Sequence, residues 1–359
     1  MKKNLRNILA LSLGLMTTVA FAQDWNVDSR TRIDMGGDYD KMETEQRATL
    51  GATWGGSDWG IHASSDVNYS LDDGSAPSAV VYEAYASTNL MGYASVTAGR
   101  QALDYGSGAL MSSNQWGARR TTWDGFNFGL DLSMVDLTVG YANVNDGAFT
   151  STDTDTSNGG SNLYLNAGKA EGDWSVNLLY MSSTGQAGGV EGDKSTAMGL
   201  DLAYAMMGGD LNLGVSYNTN SDGTTDQDMM SLGATYNVNS DMSISATRSA
   251  YGENGFNMAG TDMAAGWAGG NMGYLSADDV DLAIGVTYSM GDFNLGATMH
   301  KVTNEGTATG DSDYDRGVTD ISLGYTMSDN ASLGLRYATD NNGTDTDTKY
   351  TWVTLTITP

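Results

Sequence analysis

Leu211-Asn212-Leu213-Gly214-Val215-Ser216-Tyr217 places an apolar side chain at every second position, with small or polar residues between. A period of two marks a β-strand with one apolar and one polar face. The same beat returns at Leu137-Val139-Tyr141, Trp174-Val176-Leu178-Tyr180, Leu200-Leu202-Tyr204 and Leu282-Ile284-Val286-Tyr288. It continues through Leu323-Tyr325-Met327 and Leu333-Leu335-Tyr337, and two longer runs near the start begin at Trp25 and Trp59. Several runs finish on an aromatic residue, as strands do where an aromatic girdle marks a membrane interface.

The connections alternate as well. Tight links fall at Gly55-Gly56-Ser57, Met91-Gly92, Ser133, Ala170-Glu171-Gly172, Gly208-Gly209, Asn239-Ser240, Met290-Gly291 and Ser328-Asp329-Asn330. Between them lie longer links near 36–44, 72–78, 101–121, 144–160, 184–194, 220–227, 252–278, 303–315 and 340–347. Short turns at one end and long loops at the other describe an outer-membrane barrel. Eight tight turns join sixteen strands, and a first strand near 24–35 with a last near 348–357 makes eighteen. The expected fold is therefore an all-β, transmembrane, antiparallel β-barrel of eighteen strands, with sixteen as the alternative. A β-sandwich needs only seven to nine strands. A solenoid or propeller needs a repeated motif, and these strands share none beyond alternation.

Composition agrees. Met1 to Ala22 reads as a secretory leader, with Lys2, Lys3 and Arg6 before an apolar centre and Ala20-Phe21-Ala22 at the cleavage site. Residues 23–359 then form one barrel domain without a linker. Forty-seven glycines against two prolines suit short strands and turns, and the absence of cysteine excludes disulfides and thiol chemistry. The net charge of −27 falls to about −30 once the three leader bases are removed, a charge that repels nucleic acid.

One long link stands apart. Residues 99–126, GRQALDYGSGALMSSNQWGARRTTWDGF, lose the alternation without the Asp/Thr/Asn bias of most other long links. The segment is expected to fold into the barrel mouth and narrow it. Its GRQ…YG…L…W…R…DG pattern resembles the alginate-export-like outer-membrane porins, and the whole chain more loosely resembles Gram-negative porins. That resemblance implies a single-chain barrel giving passive passage to carbohydrate or other small hydrophilic solutes. It also implies pore basic residues for acidic sugars, which carry over to Arg100, Arg119 and Arg120.

The alternation itself puts Arg30 and Arg32 on the polar face of the first strand, Arg47 on that of the second and Arg336 beside Leu335. If the first and last strands pair, these arginines form a basic strip on the lumen wall. An arginine on the lipid face costs roughly 2–4 kcal/mol at the midplane, which favours the lumen. The expected constriction residues are thus Arg100, Arg119, Arg120, Arg30, Arg32, Arg47 and Arg336. The alternative is that they are neutralised locally by Asp28, Asp34 or Glu45. His62 and His300 fall in polar-face register without a catalytic signature, so no enzyme activity, cofactor or metal is expected. Acidic runs at Asp153 and Asp155, at Asp311, Asp313 and Asp315, and at Asp340, Asp345 and Asp347 read as solvated loop tips. Loose divalent-cation binding that bridges to lipopolysaccharide is the alternative for these runs. The expected partners are outer-membrane lipid, lipopolysaccharide and small hydrophilic solutes. Homotrimer and monomer stay open, as do a barrel-embedded hydrolase and an adhesin binding through loop 252–278; the alternative for that Gly-, Met- and aromatic-rich loop is to pack into the lumen as a second plug.

Overall fold

In a computed structural model, residues 24–36, 42–117, 119–143, 161–187, 190–304, 315–344 and 346–358 are described. The leader and the acidic positions Asp153, Asp155, Asp311, Asp313 and Asp345 lie outside them. The strands are β1 (Asp24–Asp34), β2 (Glu43–Gly55), β3 (Trp59–Ser70), β4 (Ser78–Leu90), β5 (Ala94–Gln101) and β6 (Trp123–Asp131). Next come β7 (Asp136–Asn143), β8 (Ser161–Glu171), β9 (Trp174–Ala187), β10 (Val190–Met206), β11 (Leu211–Ser221) and β12 (Asp226–Asn237). The last six are β13 (Met242–Tyr251), β14 (Asp279–Met290), β15 (Phe293–Asn304), β16 (Asp315–Ser328), β17 (Ala331–Asp340) and β18 (Thr348–Ile357). Each pairs antiparallel with its sequence neighbours, and β1 pairs with β18 from Ser29↔Ile357 to Asp34↔Trp352. The sheet is a closed eighteen-strand barrel, so no edge is left to hydrocarbon.

The tight links join strands where the sequence places them. At the β4–β5 turn Met91 and Gly92 both take positive φ, 55° and 79°, the geometry whose twist matches the flanking strands. Two long links are shorter than expected. Strand β9 runs on to Ala187 and β10 begins at Val190, while β11 and β12 leave only 222–225 between them. Their Ser, Thr, Gln and Asp residues do read as loop, but the backbone ladder continues through them.

Facing follows the alternation. Ile284 and Leu202 are 55% and 43% exposed on the outer face, where they meet lipid. Tyr204, Tyr236, Tyr288 and the stacked pair Phe293–Tyr325 (4.7 Å between centroids) ring the tight-turn end. The inner face departs from a polar lining in one sector. Tyr164, Leu179, Met181, Ala197 and Met229 on β8, β9, β10 and β12 point inward, away from lipid-facing neighbours such as Leu163, Tyr180, Met198 and Met230. This apolar patch is buried by chain folded into the lumen.

If the long links face outward, Ser75→Cys labels with an impermeant maleimide in intact cells, and Ser328→Cys labels only after permeabilisation. Labelling of both in intact cells overturns the orientation.

Candidate functional site

Two loops fill much of the barrel. The first connects β5 to β6. Leu103, Ala109, Leu110 and Met111 pack against the inward apolar patch, with Met111 fully buried. The Ser107 amide donates to the Asp201 carboxylate on β10 (2.9 Å), and the Ser107 hydroxyl meets Ser216 on β11 (3.2 Å). The opposite arm is held by the other side of the wall. Arg30 Nη1 donates to the Gln115 carbonyl (2.6 Å) and Nη2 to that of Gly117 (3.3 Å). Arg47 Nη1 donates to the same two oxygens, at 3.1 and 3.2 Å. Arg32 donates to the Trp116 carbonyl (2.9 Å), pairs with Glu45 and lies 4.5 Å from the Trp116 ring centroid. The loop thus crosses the lumen, as its sequence suggests.

The second loop, 252–278, also turns inward. Phe256, Met258 and Leu275 join the same apolar cluster. The Thr121 hydroxyl donates to the Gly260 carbonyl (2.6 Å), the Asp262 amide to Ser112 Oγ (2.9 Å) and the Tyr274 hydroxyl to the Ala109 carbonyl (2.8 Å). Trp267 reaches across to stack on Tyr350 and Trp352, at 5.0 and 5.9 Å, while its indole N–H donates to Asp340 (2.7 Å). Of the two roles open to this segment, an adhesin's binding element or a second plug, its packing is that of the plug.

The seven arginines do not share one environment. Arg30 and Arg47 face each other across β1 and β2, an arrangement that like charges disfavour. The carbonyl oxygens of Gln115 and Gly117 offset it. Arg120 forms a bidentate pair with Asp66 on β3, donates to Thr49 (3.0 Å) and stands 3.3 Å over the Tyr82 ring. Tyr82 points inward because a bulge opposite Ser64 and Ser65 inserts it between outward Val81 and inward Glu83. Arg119 is exposed on the loop. Arg336 pairs with Asp320 and lies 5.8 Å from the ring centroids of both Trp116 and Trp352.

Arg100 is a correction. Gln101 and Gly99 take the inward positions of β5, and Arg100 alternates with them to the outer face, bound to Asp124 at 2.7 and 2.8 Å. The strand continues one residue further into the supposed loop than the motif implies, and that parity removes Arg100 from the lumen. Asp340 differs from its loop-tip reading too: it is fully buried and pairs with Arg316. The histidines meet wall residues: His62 Nδ1 contacts Thr53 Oγ1 and His300 Nδ1 contacts Asp281, both at 2.8 Å.

Space remains on the β13–β18 side. A cavity of about 580 Å³ is lined by Trp116, Arg336, Trp352, Gly296, Gly324 and Gly334. A second, of about 450 Å³, is lined by Trp267, Ser249, Asp281, His300, Asp320 and again Arg336. Glycines on the inner face keep the first one open, and Arg336 borders both.

Outside the strands, burial pushes the Asp262 carboxyl above its usual range; the Gln115 backbone bond pulls it back, and Asp104 pushes it further up. A carboxyl raised in the folded state stabilises docking most below its unfolded value, and that gain is lost as pH rises through the folded one. The contribution of Asp262 to docking is therefore largest in acid. Asp262→Asn is expected to flatten the rise in open-channel noise between acid and neutral pH. Arg30→Ser/Arg47→Ser removes charge-assisted bonds of about 1.5–3 kcal/mol each and is expected to raise that noise at all pH values. Wild-type noise in either variant overturns the assignment.

Residues 9–345 match the family model of the Gram-negative porins. No curated protein matches the chain. Among solved structures it is similar to OccK5 (OpdH) of Pseudomonas aeruginosa, with a TM-score of 0.74 at 14% identity over 94% of this chain and 98% of that one. OprD of the same organism gives 0.70 at 14%, covering 94% of each chain. OpdK from that organism, solved with vanillate, gives 0.72 at 15%, covering 94% and 99%. With the closed barrel, the in-folded loops and the space left beside them, the chain belongs to the Gram-negative porins, channels of the outer membrane for small solutes.

Proposed function

We propose that this channel favours small anionic solutes, acidic sugars and other carboxylates among them, and that they pass on the β13–β18 side of the loops. The observation that carries the reading is the position of Arg336, which borders both cavities. Arg30 and Arg47 add to it. Their hydrogen-bond acceptors in the loop are carbonyls, which carry no net charge, so these bonds leave the field of the two guanidinium groups in place. Arg32, Arg119 and Arg120 complete the basic set on the lumen side.

The overall charge of −27 argues the other way, and distance decides between the two. Salt screens loop carboxylates in water over about 8–10 Å. Charges beside a narrow, low-dielectric passage act on a permeating ion at closer range. A few arginines can thus outweigh a larger acidic total. The alginate-export-like likeness implies acidic sugars, and vanillate in the OpdK structure is an anionic solute.

Arg336→Gln/Arg119→Gln is expected to shift the reversal potential in a salt gradient toward cation selectivity, because the first change also leaves Asp320 without its guanidinium partner. No shift in a folded, conducting variant sinks the anionic reading. Excision of Ser107–Asn114 is expected to raise single-channel conductance, since this stretch lies across the lumen and outside the wall ladder. Unchanged conductance would place the solute path elsewhere.

A further inference from the structure

Two cations stand where the barrel meets lipid. Arg248 on β13 pairs in register with Leu282 on β14, and Leu282 with Lys301 on β15. Their neighbours Ser249 and His300 line the lumen, so all three point outward; Leu282 is 47% exposed and the Lys301 side chain 65%. The result is a guanidinium and an ammonium flanking one exposed leucine.

Their height follows from the layers of outward side chains. Leu282 lies three layers above Tyr288 of the girdle at the tight-turn end, as Tyr217 lies three above Leu211 beside Tyr236. At a strand tilt near 40° three layers make roughly 16 Å along the membrane normal. Lys and Arg stems carry their charged heads several ångströms further, to the headgroups of the outer leaflet. Charges on the lipid face cost about 2–4 kcal/mol at the midplane but only about 0–1 near the interface, where an anion can meet them.

Lys301 lies 3.7 Å from the Asp315 carboxylate, but both of these side chains are mostly exposed. Such a surface pair contributes about 0–1 kcal/mol. A phosphate brings more charge and several acceptor oxygens in one group, and guanidinium recognises it with two donors.

We infer that this face docks lipopolysaccharide, the phosphate-bearing glycolipid of the outer leaflet. Arg248 and Lys301 hold a headgroup phosphate between them. An acyl chain lies along Leu282, Ile284 and Met299, exposed by 47%, 55% and 66%. The inference is independent of solute choice, because none of these side chains faces the lumen.

Native mass spectrometry of purified protein with added bisphosphorylated lipid A tests it. Arg248→Gln/Lys301→Gln is expected to bind lipid A about tenfold more weakly, the size of one lost charge-assisted hydrogen bond. Conductance and heat-modifiable migration should stay as in the wild type. Lys169→Gln is the control: Lys169 lies beside Glu171 (3.6 Å) at the opposite end of the wall, and its loss should leave binding unchanged. Dephosphorylated lipid A should bind the wild type as weakly as intact lipid A binds the double variant. Equal binding by the double variant, or equal binding of the dephosphorylated lipid, overturns the site. If the double variant does not insert, the single changes Arg248→Gln and Lys301→Gln must each weaken binding; unchanged binding in both overturns it as well.

Discussion

Two facing arginines that cannot be satisfied by the wall alone shape the inside of this barrel. Arg30 and Arg47 stand opposite each other on β1 and β2, and like charges in that relation repel. The carbonyls of Gln115 and Gly117 each receive a donor from both side chains. The arrangement draws one arm of the β5–β6 loop across the lumen. The apolar patch at Leu179, Met181 and Met229 needs cover, and draws the rest of that loop to the far side. A single connection is therefore fixed at both walls by two different forces. One is directional and electrostatic; the other is area removed from water.

The wall was legible in the sequence because every spanning strand must satisfy its backbone and present apolar side chains to lipid. That requirement writes itself as alternation, from Leu211–Tyr217 to Leu333–Tyr337. The interior was less legible, since in-folded chain obeys no period. Doublets such as Leu178-Leu179 and Met229-Met230, apolar on both faces at once, were the local sign that the lumen is not polar throughout. Val80-Val81-Tyr82 similarly marked the bulge that sets Tyr82 beneath Arg120. Arg100 shows the limit of motif reading, because a one-residue question of strand length decided which face it occupies. The lengths of β9 and β10 escaped for a related reason: polar residues above the membrane still pair as strand.

The charges divide by what they face. Arg120, Arg316 and Arg336 each bind a wall carboxylate, whereas Arg30 and Arg47 bind loop carbonyls. Both kinds of contact hold side chains in place. The contacts of Arg30 and Arg47 also hold the loop against the wall.

Trp267 has a consequence for how the molecule is assembled. Its platform, Tyr350 and Trp352, belongs to the last strand, and Trp352 donates to Asp34 of the first at 2.8 Å. The seat for Trp267 is therefore built on the strand that closes the barrel against β1. The β5–β6 arm reaches the same strand, where Trp116 lies edge-on to Trp352 at 5.8 Å. Both in-folded loops thus touch the closing strand, and the seam that seals the wall is braced from within.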